Sequence, residues 1–133
     1  LAAPQVGIDT RALVIGMGSL ETEGTEDYDQ VFFNPIITLS EGKETYWIEG
    51  CLSFPGLFVK VKRHETIELQ WESEEGSECN QKFEGITSRI LQHEIDHLNG
   101  ITFLKRANRF HLEQAQKQLK LSKRRKRNID EKI

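Results

Sequence analysis

The stretch Ile86–Leu98, ITSRILQHEIDHL, is followed at once by Asn99 and Gly100. Ile86, Ile90, His93 and His97 recur at steps of four, three and four, the period of one helix face. Asn-Gly is a strong helix stop. The stretch is therefore expected to be a helix with that stripe on its buried side. Within it, His93-Glu94-Ile95-Asp96-His97 spells H-E-x-x-H. Side chains four apart on a helix share a face, so both imidazoles can meet one metal ion. Glu94 then stands beside that ion, where it can handle the proton of a bound water. The bland alternative is two histidines and an acid arranged by accident. It leaves two buried imidazoles unpaired, which is costly, whereas ligation satisfies them.

Upstream of this helix the sequence is rich in β-branched and aromatic runs. Ala12–Gly16, Val31–Asn34, Leu57–Val61 and Thr66–Trp71 read as strands. Acidic and Gly-containing stretches such as Glu21–Asp29 and Glu72–Glu78 read as exposed loops between them. Downstream, Arg106–Ser122 reads as a basic helix with Phe110, Leu112, Ala115 and Leu119 on its buried side. Strands followed by segregated helices predict an α+β fold: a largely antiparallel sheet packed against a central metal-binding helix, with a basic C-terminal helix. Residues 1–122 are expected to form a single catalytic domain, and 123–133 a disordered basic tail.

Two histidines are too few for a catalytic centre, which takes three protein ligands and leaves one position for water. One protease pattern places a third His shortly after the second, as H-E-x-x-H-x-x-G-x-x-H. This chain follows it through Gly100 and then has Phe103 in the ligand place. Glu113 could serve as a downstream acid, but as a solvated partner of Lys117 four residues on it needs no further role. Cys51 is the better candidate. It lies in Glu49-Gly50-Cys51-Leu52-Ser53, where Gly50 leaves room for close backbone approach. A lone cysteine is more often buried filler; beside an incomplete H-E-x-x-H the odds reverse.

Composition narrows the class. The chain has 133 residues, a net charge of −3 and a mean hydropathy of −0.54. It carries no apolar run near the ~18 residues of a membrane span and no signal-peptide pattern, so no membrane partner is expected. Cys51 and Cys79 are the only cysteines, a usage that fits a reducing compartment. Residues 1–104 hold 7 basic and 18 acidic side chains, and residues 105–133 hold 11 basic and 3 acidic. The balance is thus −11 in the first part and +8 in the second. A separate basic element follows, either a solvated helix end or a weak attraction for phosphates. Cys79, His64 and His111 lack partner spacing and read as structural or surface residues.

Three segments, in order, resemble the three signature motifs of peptide deformylases. They are Leu1-Ala2-Ala3-Pro4-Gln5, Glu49-Gly50-Cys51-Leu52-Ser53 and Gln92-His93-Glu94-Ile95-Asp96-His97. The resemblance runs from Leu1 to about Phe103. It implies removal of the formyl group from the N-formyl-methionine of nascent proteins, in a bacterial cytoplasm or in an organelle. It assigns Cys51, His93 and His97 as metal ligands and Glu94 as the proton-transfer group. Gln5 and the Leu52 backbone N–H become donors to the developing oxyanion. Glu49 and Arg63 match an ion pair that braces the cysteine loop, and Trp47, Gly50, Ile86 and Ile90 are expected around the methionine side chain. The ion is expected to be Fe2+ in the cell, with Zn2+, Ni2+ or Co2+ as alternatives on the same donor set. The family places a G-x-G, with a helix and a strand before it, ahead of the residues matching Leu1-Ala2-Ala3. Since the chain opens on Leu1 rather than Met, it is expected to begin inside a longer product. Two other readings stand beside the enzyme: an inactive metal-bound relative that binds formylated or methionine N-termini, and an H-E-x-x-H peptidase.

Overall fold

The computed structural model describes residues 1–16, 29–51 and 54–131. Leu52 and most of the acidic stretch from Glu21 therefore lie outside the described residues. A short 3-10 turn, Ala3–Val6, precedes strands β1 (Ala12–Gly16), β2 (Asp29–Cys51), β3 (Phe54–Glu72) and β4 (Glu78–Glu84). Helices α1 (Gly85–Leu98), α2 (Phe103–Arg106) and α3 (Arg109–Glu131) follow. The strands form one sheet in the order β1-β2-β3-β4, with β1 antiparallel to β2 and β3 antiparallel to β4. The expected α+β class and antiparallel sheet are observed.

Two strands are longer than the sequence reading made them. Val31–Asn34 is only the first part of β2, because Asn34-Pro35 bends the strand without ending it. Asn34 takes a positive φ of 49°, which a short polar side chain tolerates. Its N–H donates to the Arg11 carbonyl at 2.8 Å. β1 pairing stops at Phe33, so Pro35 falls where no β1 residue needs its missing donor. Leu57–Val61 and Thr66–Trp71 are one strand, β3. Of its odd-numbered residues, Leu57, Val59, Val61, Arg63, Ile67, Leu69 and Trp71 are buried. The alternation blurs only over the half-buried His64–Thr66 and resumes in the same parity at Ile67.

The described residues divide into two compact units, Leu1–Thr45 with Arg63–Thr102, and Tyr46–Lys62 with Phe103–Ile133. In the first, Leu13, Ile15, Phe32, Ile67, Leu69, Trp71 and Phe83 pack with Leu91 and Ile95 of α1. Phe32 meets Trp71 edge-on, with ring centroids 5.0 Å apart. Cys79 is a strand residue: it pairs with Trp71 in the β3–β4 ladder and packs against this core.

In the second unit, Leu57, Val59 and Val61 pack with Phe103 of α2 and Ala115 of α3, and Leu112 and Leu119 border them. Phe110, expected inside, is 69% exposed, whereas Phe103 is 1% exposed and stacks edge-on against Phe54. The basic helix starts at Arg109, after the separate turn α2, and does not end at Ser122. Its Lys- and Arg-rich continuation has no Gly or Pro to stop it, and both residue types are good helix formers. The helix therefore continues through 123–131.

Candidate metal centre

Helix α1 ends as its sequence demands. Gly100 takes a φ of +71°, and two reverse bonds close the helix. The Gly100 N–H donates to the His97 carbonyl at 3.1 Å, and the Ile101 N–H to the Asp96 carbonyl at 2.8 Å. That pair is the Schellman pattern, and it fixes the turn that carries His97.

The buried side of α1 is rotated from the expected stripe. Ser88, Leu91, Gln92, His93, Ile95 and Asp96 are buried, while Ile86 is 45% exposed and Ile90 and His97 are half-buried. The reason is that Ser88, Gln92 and Asp96 are buried polar groups with partners on β3, which an apolar count does not register. His93 and His97 consequently sit at the border of the buried face rather than at its centre. A border position suits a site that a substrate must reach.

The two imidazoles converge. Nε2 of His93 and Nε2 of His97 are 3.2 Å apart. Two nitrogens bound to one tetrahedral ion at ~2.0–2.1 Å stand about 3.3 Å apart, so the pair has ligation spacing. Burial, reinforced by the neighbouring His93, holds His97 below the ordinary histidine value. A lowered value keeps the ring neutral at pH 7, and neutral imidazole is the form that binds metal.

Glu94 is 13% exposed, with Oε2 3.3 Å from the Leu1 backbone nitrogen. That oxygen is buried and accepts no hydrogen bond from the described residues. A buried carboxylate oxygen in this state has acceptor capacity for a proton carried by water. Gln5 sits in the 3-10 turn, where its Oε1 accepts the Ala2 N–H at 2.7 Å. This bond orients the side chain and assigns its Nε2 end as the donor end.

In the second unit, Cys51 ends β2 as a half-buried thiol outside any disulfide. Gly50 beside it leaves room for the Phe58 ring: a Cβ there would stand 2.7 and 2.9 Å from two of its carbons, so the ring would have to shift. A cavity of about 420 Å³ opens here, lined by Gly50, Cys51, Phe54, Leu57 and Phe58 among others. Of the residues expected around a methionine side chain, Gly50 lines this cavity, and Trp47 on the same strand is 41% exposed. Phe54, Leu57 and Phe58 line the cavity as well, residues the sequence analysis did not single out although they stand in the apolar run after the cysteine motif. Glu49 is buried on β2, and Arg63 on β3 is buried with its Nη1 donating to Asp96 Oδ2 at 2.5 Å.

Phe103 and Glu113 leave the protease pattern without a downstream ligand. Phe103 is core, and Glu113 is 62% exposed and takes a hydrogen bond from Arg109 Nε at 2.9 Å. Its i,i+4 partner is Arg109, not Lys117.

Residues 1–113 match the family model described as Polypeptide deformylase. The chain belongs to this family. A peptide deformylase of Prochlorococcus marinus (strain NATL1A) is 43% identical over 104 residues, covering 78% of this chain and 50% of that protein. Peptide deformylase 1B, chloroplastic, of Oryza sativa subsp. japonica is 34% identical over 120 residues, covering 90% of the chain and 44% of that protein. The crystal structure of a Synechococcus elongatus peptide deformylase in complex with actinonin superposes with a TM-score of 0.76 at 39% identity. It covers 89% of this chain and 61% of that one. The chain spans about half the length of the curated deformylases it matches. Among the described residues, no helix is long and apolar enough to cross a membrane.

Proposed function

We propose that this chain removes the formyl group from the N-formyl-methionine of nascent proteins, as a metal-dependent amide hydrolase. The observation that carries the reading is the 3.2 Å Nε2–Nε2 spacing of His93 and His97, with the buried carboxylate of Glu94 between them in sequence. His93, His97 and Cys51 would hold one divalent ion. Cys51 is favoured as the third ligand because a thiolate beside two imidazole nitrogens completes a three-ligand donor set. It also lies in the segment that resembles the family's cysteine motif. Fe2+ is the ion proposed in the cell, with Zn2+, Ni2+ or Co2+ able to occupy the same donors.

Such an ion supplies Lewis acidity to the formyl oxygen and lowers the pKa of a coordinated water toward ~7. The chain's own groups do the rest. Glu94 Oε2 accepts the proton of the attacking water and returns it to the departing methionine amine, so formate and a free N-terminus leave together. The Gln5 Nε2 and the Leu52 backbone N–H would donate to the negative charge that develops on the formyl oxygen, the roles that the family resemblance implies for them. One such donor is worth about 2.7–4 kcal/mol of transition-state stabilisation. Glu49 and Arg63 brace the cysteine segment, and Trp47, Gly50, Ile86 and Ile90 surround the methionine side chain. The basic face of α3 is a weak contact for ribosomal RNA. Similarity to cyanobacterial and chloroplast deformylases supports a bacterial cytoplasm or an organelle as the place of action.

The test is formate release from formyl-Met-Ala-Ser, with metal content measured on the same sample. Turnover that a chelator abolishes, and that actinonin inhibits, is the expected result. Metal bound without turnover would favour a binder of formylated or methionine N-termini over an enzyme. Cleavage of an unformylated peptide would favour the peptidase.

A further inference from the structure

Each histidine proposed as a ligand on α1 follows directly after a residue that anchors the helix to β3. Gln92 precedes His93, and Asp96 precedes His97. The Gln92 amide makes a two-point pair with the backbone of one residue. Its Nε2 donates to the His64 carbonyl at 2.8 Å, and its Oε1 accepts the His64 N–H at 3.2 Å. Nε2 also lies 3.0 Å from Ser88 Oγ, and that hydroxyl donates to the same His64 carbonyl at 3.3 Å. One turn on, Asp96 accepts from Arg63. Ser88, Gln92 and Asp96 thus dock three successive helical turns onto two consecutive residues of β3.

Apolar contacts could hold α1 down without fixing its rotation. Burial of Leu91 and Ile95 is non-directional, whereas hydrogen bonds impose distance and angle. The net stability of such buried polar pairs is small, and an apolar replacement of similar shape can be near neutral. What they add is indexing. A ring nitrogen stands roughly 5–6 Å from the helix axis, so a rotation of ~10° displaces it by about 1 Å. Metal–ligand bonds tolerate about 0.2 Å. A rotation of α1 leaves the spacing within the His93–His97 pair unchanged but carries both Nε2 atoms together. Small rotations therefore decide where the pair stands for an ion that a third ligand on another element must also reach.

We infer that Gln92, supported by Ser88, and Asp96, acting through Arg63, are positioning residues for the metal centre. They index α1 against β3 and so fix where the His93–His97 pair stands for an ion that a group on another element must complete. The inference rests on the reading of His93 and His97 as ligands.

Co2+ titration of the metal-free full chain tests it, because the visible absorption of cobalt reports ligand geometry and competition with a chelator gives affinity. Gln92→Leu, which keeps volume and removes the two-point pair, is expected to weaken Co2+ binding 10–100-fold and to alter the band. Ser88→Ala is expected to weaken it less, in the same direction. A purely structural role predicts a lower thermal midpoint for metal-free Gln92→Leu, with wild-type affinity and an unaltered spectrum; that result overturns the inference. If Gln92→Leu does not fold, Ser88→Ala decides alone, and wild-type affinity and spectrum in that variant overturn the inference. His97→Ala separates the two levels: wild-type Co2+ binding in that variant removes the ligand reading itself, whatever Gln92 does.

Discussion

Helices α1 and α3 are both amphipathic, yet they are held by different forces. α1 is 14 residues long and six of them are buried, three of which are polar groups bonded to β3. It ends in a closed reverse-turn motif at Gly100. α3 is 23 residues long, and among its described side chains only Ala115 is buried. Its polar groups face water, as in the Arg109–Glu113 pair, which is worth a few tenths of a kcal/mol at such exposure. One helix is over-determined in position; the other is a good helix former resting on a narrow apolar stripe. Chemistry that depends on ångström placement belongs on the first kind. Diffuse electrostatics can be carried by the second.

The sharpest way to break this contrast is to remove one acid from each helix. Glu94→Ala is expected to lower formate release roughly 10²–10⁴-fold while metal content stays unchanged. Glu113→Ala should leave the rate unaltered. A fully active Glu94→Ala variant would take Glu94 out of the mechanism and leave α1 a metal-holding helix only. Cys51→Ala asks the next question, whether the helix pair suffices without the β2 thiol. The expectation is a 10-fold or greater loss of metal affinity, measured by chelator competition, since one of three protein ligands is gone. Unchanged metal content would mean that the third ligand is another residue.

A third comparison concerns packing. Leu91 of α1 is fully buried among Leu13, Phe32 and Ile67, so Leu91→Ala should cost about 2–5 kcal/mol in urea unfolding. Phe110 of α3 is the larger residue but 69% exposed, so Phe110→Ala should fall within about 0.5 kcal/mol of wild type. Equal losses would show that Phe110 packs in solution and that α3 is as firmly seated as α1.

The motif-bearing parts of the molecule were legible in the sequence, and the parts that depend on polar burial were not. The helix 85–98 and its stop at Asn99-Gly100 followed from periodicity and a turn dipeptide, both local signals. The convergence of His93 and His97 followed from their i,i+4 spacing. The buried face of α1 was misplaced because Ser88, Gln92 and Asp96 read as solvent-facing until their partners on β3 are known. The continuity of β3 through Lys62–Glu65 was hidden for a related reason. Arg63 keeps the inward parity of the strand, but a charged residue is scored as outward unless its carboxylate partner is seen. Asn34-Pro35 read as a strand end, since only the pairing pattern shows that a left-handed Asn can carry the strand past the last β1 residue. Phe110 was misplaced because the reading began the basic helix at Arg106, and the separate turn α2, four residues long, is too short to show a period.

The smallest expected effect on the fold tests what α3 is for. Deleting 123–133 removes Lys123, Arg124, Arg125, Lys126, Arg127 and Lys132, and residues 123–127 are all exposed. Among the described side chains no apolar core residue goes with them, so stability should change by no more than about 0.5 kcal/mol, and formate release should be unaltered. Ribosome association is where the deletion should register. Each phosphate that is no longer neutralised reduces the slope of log K against log salt by roughly 0.7–0.9. A basic helix that reads RNA phosphates should therefore bind more weakly after the deletion and with a shallower salt dependence. Salt-sensitive association that survives it would sink the RNA contact and make 123–131 a solvated extension. Its charge would then serve only the helix itself, through lysines and arginines that suit the negative end of the macrodipole.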